Sequence, residues 1–151
     1  MAERLEIDEL DRKILALLLE NARLSCREVG RAVGVSTATV SKRLKRLEKG
    51  GIIRGYTVLL DHEKLGYEIT VVTAITVSGG KLLEVEHEIA KLPNVCAVYD
   101  VTGPVDVMVI AKFTSREELS KFTKALLAMP HVERTCTYVV LTTVKEDFRL
   151  L

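Results

Sequence analysis

The chain is short of the residues that build several kinds of site. It has three cysteines, three histidines and no tryptophan in 151 residues. Cys26, Cys96 and Cys136 are odd in number and far apart, so they form neither a disulfide framework nor a paired metal-ligand motif. Each stands in an apolar-rich segment and is expected to act as a small buried hydrophobe. His62, His87 and His131 stand apart from one another, and no His/Cys/carboxylate cluster in the sequence suggests metal or nucleophilic chemistry. No cofactor is therefore expected.

No apolar run reaches the length of a membrane span. The first ten residues, MAERLEIDEL, lack the basic-then-apolar layout of a secretory signal. The expected compartment is the cytoplasm, with no membrane partner. Bulk charge is also lacking: the net is only +1. At 48% hydrophobic and 28% charged residues, the chain reads as a folded soluble protein rather than a disordered one.

The distribution of charge says more than its sum. Residues 1–60 hold 12 Lys/Arg against 8 Asp/Glu, and residues 61–151 hold 10 against 13. Positions 36–49 alone carry Lys42, Arg43, Lys45, Arg46 and Lys49 against Glu48. Positive charge concentrated on one predicted helix is how a local electrostatic footprint looks.

Three helices are predicted in this half. Asp8 opens the first, Asp11 adds negative charge at its positive dipole end, and Leu10, Ile14, Leu17 and Leu18 form its apolar stripe. Ser25-Cys26-Arg27-Glu28 is a capping box that starts the second. Val29 and Val33 face inward from it, Gly30 and Ala32 leave room for another helix, and Gly34 stops it. Ser36 caps the third, whose buried edge is Val40, Leu44 and Leu47. The opposite side carries Ala38, Ser41, Lys42, Lys45 and Lys49, flanked by Thr37 and Arg46.

A charge run alone is usually a solvated face. Joined to the capping box and the Gly34-Val35-Ser36 turn, this one reads as a helix-turn-helix whose second helix enters the major groove. The expected DNA-binding residues are Ser36, Thr37, Ala38, Thr39, Ser41, Lys42, Arg43, Lys45 and Arg46. The four bases would meet phosphates, and the small residues Thr37, Ala38, Thr39 and Ser41 would approach base edges.

After Gly50-Gly51, the β-type run Ile52–Leu60 and the loop Asp61–Gly66 mark a seam. Strands are expected at Tyr67–Val77, Val95–Val101, Val105–Phe113 and Glu133–Val144, with helices at Lys81–Leu92 and from Ser115. A repeat underlies them. Leu82, Val85, Ile89, Leu92, Pro93 and Val95 recur 37 residues later as Leu119, Phe122, Leu126, Met129, Pro130 and Val132. That gives βαββαβ, a ferredoxin-like sheet of four antiparallel strands with both helices on one face. The other face would carry Thr70, Val72, Ala74 and Thr76 of the first strand and Met108 and Ile110 of the third. It is too apolar to be simply solvated, so dimerisation through it is expected.

The fold class is thus α+β: a winged-type helix-turn-helix over 1–51, a linker strand and loop over 52–66, and a βαββαβ dimerisation and effector domain over 67–151. Collinearly over nearly the whole chain, the sequence resembles the Lrp/AsnC family of transcription regulators. The resemblance rests on IDELDRKIL (Ile7–Leu15), VGVSTATVSKRLKRLEKGGII (Val33–Ile53), GYTVLLD (Gly55–Asp61), TGPVD (Thr102–Asp106) and TYVVLTTVK (Thr137–Lys145).

It implies a dimer that often assembles into tetramers or octamers, palindromic double-stranded DNA sites, and a free amino acid or related metabolite as effector. The effector turn carries over to Gly103 and Asp106, with Thr135 and Thr137 from the last strand beside them. A glycine turn bares backbone N–H groups for a carboxylate, and an aspartate pairs with an ammonium. The flanking residues here are Val105 and Val107, where many members carry aromatics. Sirohaem decarboxylases look like the same fold with a degenerate helix-turn-helix, and a metabolite sensor without DNA binding would also share it. The intact basic helix 36–49 favours a regulator over both, and no enzyme activity is expected.

Overall fold

The computed structural model describes residues 5–151; the first four residues of the acidic N-terminal stretch lie outside the described residues. The chain forms two compact units. One contains the described residues up to Leu59 together with Glu146–Leu151, and the other is Leu60–Lys145.

The helical unit holds α1 (Glu9–Glu20), α2 (Cys26–Val33) and α3 (Thr37–Lys49). Ile14, Val29 and Val40, one from each helix, are wholly buried at its centre. Leu10, Leu17, Leu18, Val33 and Leu44 pack around them, so the predicted apolar stripes are the core. Gly34 ends α2 in the left-handed conformation at φ 76°. The room left by Gly30 is taken by the turn rather than by another helix. A Cβ there would stand 2.7 Å from the Val35 carbonyl oxygen. Ala32, expected beside a neighbouring helix, is exposed.

The linker departs from expectation. No strand is assigned between α3 and residue 69. Ile52 and Ile53 fold back, both donating backbone N–H groups to the Leu47 carbonyl. Val58, Leu59 and Leu60 are exposed. A strand needs a ladder partner, and no described residue of this chain pairs with the run.

The other unit carries β1 (Ile69–Val77), α4 (Leu82–Ala90), β2 (Val95–Asp100), β3 (Val107–Phe113), α5 (Arg116–Ala128) and β4 (Val132–Val139). Strand order is β2-β3-β1-β4, antiparallel throughout. The 37-residue repeat is visible in the core: Val85 and Ile89 of α4 and Phe122 and Leu126 of α5 meet Val71, Ile75, Val107, Val109, Ala111 and Phe113. The Phe113 and Phe122 rings lie 5.1 Å apart. Both helices thus cover one face, because alternate strand residues point to one side.

The register sends Val72, Ala74, Met108 and Ile110 to the other face, with Ala97, Tyr99, Cys136 and Tyr138 opposite them on neighbouring strands. The last strand stops at Val139 rather than Val144. One further bond, Val140 N to the Thr70 carbonyl, uses up the start of β1, and nothing remains for residues 141–144 to pair with. Cys96 is exposed, against the expectation of burial, because the β2–β3 register shifts between Val95 and Ala97. Among the described residues no helix is long and apolar enough to cross a membrane.

Candidate nucleic-acid interface and effector turn

The helix-turn-helix is held by local chemistry. The Ser25 hydroxyl accepts from Glu28 N at 3.2 Å, and the Glu28 carboxylate accepts from Ser25 N at 2.8 Å. The bond from that backbone N–H holds the Glu28 carboxyl below its ordinary range. Val35 N then donates to the Gly30 carbonyl at 2.9 Å, closing the turn. Ser36 Oγ accepts from Thr39 N at 3.1 Å and starts α3.

The nine residues expected to meet DNA fall into three groups. Ser36 and Thr39 face each other, hydroxyl to hydroxyl at 2.8 Å, and belong to the cap. Thr37, Ala38, Lys42 and Lys45 are exposed and Ser41 is half-buried, giving a small, hydroxylic and basic outer surface. Arg43 and Arg46 point elsewhere. Arg43 Nη1 pairs with Asp8 and, at 3.2 Å, with Asp11, and Arg46 Nη2 pairs with Asp11.

Asp8 and Asp11 also form the reciprocal cap of α1: Asp11 N donates to Asp8 Oδ1 at 2.9 Å, and Asp8 N donates to Asp11 Oδ2 at 3.1 Å. The Asp11 side chain is 0% exposed. A buried carboxylate is tolerated only when paired and hydrogen-bonded, and this one receives the Asp8 N–H and both guanidiniums. The backbone N–H of Asp11 and the guanidinium of Arg43 bring the Asp8 carboxyl down to about 2, and Asp8 in turn raises Arg43.

Sequence reasoning saw Asp11 only as a charge at a helix end. The signal for more was present. Asp8/Asp11 and Arg43/Arg46 are both three-residue spacings, which put each pair on one side of its helix.

The second set of residues lies at one end of the sheet. Gly103, in the turn between β2 and β3, has φ 124°, a region open to glycine and strained for other residues. Asp106 ends that turn. Its backbone N–H donates to the Ile75 carbonyl at 3.0 Å, and its Oδ2 accepts from Val77 N at 2.7 Å. The carboxylate thus stands in for a ladder partner on the β3 side of β1, just past the last β1–β3 pair, Ile75 with Val107.

Thr135 lies opposite Ile75 on the far side of β1, so the structure gathers Asp106, the Gly103 turn and Thr135 at the same sheet end. Thr137 is further in, opposite Thr73, and the two hydroxyls are 3.1 Å apart.

Comparison with known proteins covers both units. Residues 7–54 match a winged helix-turn-helix DNA-binding family, and residues 70–150 match the Lrp/AsnC ligand binding domain. A Pyrococcus furiosus protein named as an uncharacterized HTH-type transcriptional regulator is 51% identical over 146 residues, covering 97% of this chain and 99% of the relative. The HTH-type transcriptional regulator FL11 of Pyrococcus horikoshii is 34% identical, with 97% of each chain covered.

Among solved structures, a transcriptional regulator of Neisseria meningitidis in complex with L-Met superposes with a TM-score of 0.89 at 30% identity, covering 97% of both chains. AsnC of E. coli gives 0.88 at 25%, covering 95% of this chain and 97% of that one. Both matched modules lie in the expected order along one chain, which is therefore a member of the Lrp/AsnC family of DNA-binding transcriptional regulators.

Proposed function

We propose that the protein acts as a dimer or higher oligomer on palindromic double-stranded DNA, with the outer face of α3 in the major groove. The observation that carries this is the division of α3. Arg43 and Arg46 are held against α1, while Thr37, Ala38, Ser41, Lys42 and Lys45 remain outward. In this reading the two lysines meet phosphates and the short side chains admit base edges. A dyad would set two such helices roughly 34 Å apart. The apolar open face of the sheet, with Val72, Met108 and Ile110, is the surface assigned to the dimer contact.

The effector reading is a free amino acid at the Gly103–Asp106 turn, with Thr135 and Thr137 from β4. Two things support it: the glycine turn beside a carboxylate, and the L-Met held by the Neisseria meningitidis regulator of like fold. Regulation rather than catalysis is the role assigned to the chain, in the cytoplasm. A gel shift on the upstream region of its own gene, with and without a panel of amino acids, tests the whole reading. Retarded DNA whose mobility or midpoint moves with one amino acid is the expected result. Absence of retardation at any protein concentration rejects it.

A further inference from the structure

The stretch that joins α3 to the sheet unit is held at both ends. At its start, Gly51 N donates to the Glu48 carbonyl at 3.0 Å, and Ile52 N and Ile53 N donate to the Leu47 carbonyl at 2.9 and 3.2 Å. At its end, the loop before β1 closes on itself. Leu65 N donates to the Asp61 carbonyl at 3.3 Å, and Tyr67 N donates to the His62 carbonyl at 2.9 Å. Among the described residues, no backbone N–H from Arg54 to Leu60 donates to a carbonyl.

One side chain extends the hold at the start. Tyr56 reaches back to α3, and its phenol donates to Glu48 Oε1 at 2.8 Å. Both residues belong to the helical unit. Glu48 is the one acid in the basic run 36–49, and its carboxylate serves the linker. Tyr56 is 52% exposed as a whole, but its phenol end is partly covered. That burial, the bond to Glu48 and the nearby Cys26 of α2 push its ionisation up to about 12, so the hydroxyl remains a donor at neutral pH. Beyond Tyr56 the hold ends. Thr57 Oγ1 meets the Val58 carbonyl at 3.5 Å, too long for a sound O–H···O bond, and Val58 and Leu59 are 71% and 73% exposed.

Lengths decide what this hold can do. The lead left between the two held ends is 57–60, and such a run spans at most about 14 Å. Release of Tyr56 would free 54–56 as well, adding at most about 10 Å of reach in each protomer. Successive base pairs lie about 3.4 Å apart along a duplex, so the added slack corresponds to roughly three base pairs. One hydrogen bond of this kind shifts an equilibrium by roughly two- to tenfold.

We propose that Tyr56 is a spacing-determining residue. Its bond to Glu48 keeps residues 54–56 on the DNA-reading unit and shortens the direct lead to the sheet unit. It thereby narrows the separation of half-sites that a dimer accepts. This rests on the reading of the protein as a dimer on palindromic DNA.

The test is selection from a random-sequence duplex library by the full-length protein, with the separation of paired half-sites read by sequencing. The unmodified protein should enrich one separation over its one-base-pair neighbours. Tyr56→Phe keeps the ring and removes the donor. It should enrich the same half-site sequence, with the preference for one separation reduced by roughly two- to tenfold. Its salt slope of affinity should be unchanged, since no phosphate contact is lost. Glu48→Ala should broaden the preference to the same extent, and the double variant no further, because each single change breaks the same bond. Trypsin cleavage after Arg54 needs no DNA and should quicken by a similar factor in Tyr56→Phe. A broad preference in the unmodified protein, the same narrow preference in Tyr56→Phe, additive broadening in the double variant, or unchanged cleavage after Arg54 would each overturn this inference alone. No enriched half-site at all would overturn the DNA reading, and this inference with it.

Discussion

Arg46 on α3 donates to the carboxylate of Asp11 on α1, 35 residues earlier, and that carboxylate is wholly screened from solvent. The third helix, which carries the outward lysines, is thereby fastened to the first by charge as well as by the Ile14–Val29–Val40 core.

Replacing Asp11 with Asn should leave two guanidiniums facing a neutral amide. Removing one partner of a buried pair costs about 3–5 kcal/mol, and the part-exposed arginines reduce this to roughly 2–4 kcal/mol. Urea denaturation reads the loss. The double variant Asp11→Asn/Arg46→Gln should cost less than the sum of the two single changes, because each already breaks the same contact. Strict additivity would mean that the pair does not couple.

Salt dependence of DNA affinity should separate the bases of α3. Lys42→Gln and Lys45→Gln should each reduce the slope of log K against log salt by about 0.9, one released counterion per lost phosphate contact. Arg43→Gln and Arg46→Gln should lower stability while leaving that slope nearly unchanged. A slope that falls with the arginines and not with the lysines would reverse the assignment.

The Asp8 carboxyl gives an acid-side signature. Its value falls from 3.8 to about 2 in the folded chain, so folding favours its charged form. That stabilisation is complete above the unfolded value and is lost as pH falls through the folded one. The stability difference between the unmodified protein and Asp8→Asn should therefore be flat above about pH 5 and shrink between 3.8 and about 2. Denaturation curves at a series of pH values measure it. A difference independent of pH down to the folded value would deny the charge any role.

Asp106 accepts from Val77 N in the fold and is the proposed partner of an effector's ammonium, and one substitution can separate the two. Asp106→Asn keeps an oxygen for Val77 N but removes the negative charge. Thermal stability and oligomeric state should be nearly unchanged, while the response of DNA binding to an amino acid should be lost. Asp106→Ala should cost stability as well, since Val77 N loses its acceptor. If the asparagine variant responds to the amino acid as before, the charge does not hold an ammonium.

Most of the fold is legible in local signals. The caps at Asp8, Ser25 and Ser36, the stop at Gly34 and the paired helices of the repeat all follow from nearest-neighbour chemistry and spacing. Contacts that join distant segments were less legible. The wheel of α3 placed Arg46 on a flank but could not say that Asp11 waits there, because a helical period encodes a face and not its partner. Ile52–Leu60 shows the same limit: its composition is that of a strand, yet pairing is a property of two segments, and no second segment among the described residues pairs with it. The sequence shows the charge of Asp106, while its hydrogen bond to Val77 depends on where the β1–β3 ladder ends, which no residue pattern announces.

The chain leaves the helical unit after Leu59 and returns to it at Glu146, so the sheet unit is an insertion with both of its ends tied. Arg149 in the returning segment donates to the Leu19 carbonyl at the end of α1, a helix with no basic residue in its last turn. A helix-turn-helix fragment cut at residue 59 therefore lacks a piece of its own unit, and its stability would understate that of the intact protein. The same wiring gives the sheet two covalent leads into the DNA-reading half. One follows α3 directly and the other runs from the end of β4 to the segment that holds Arg149.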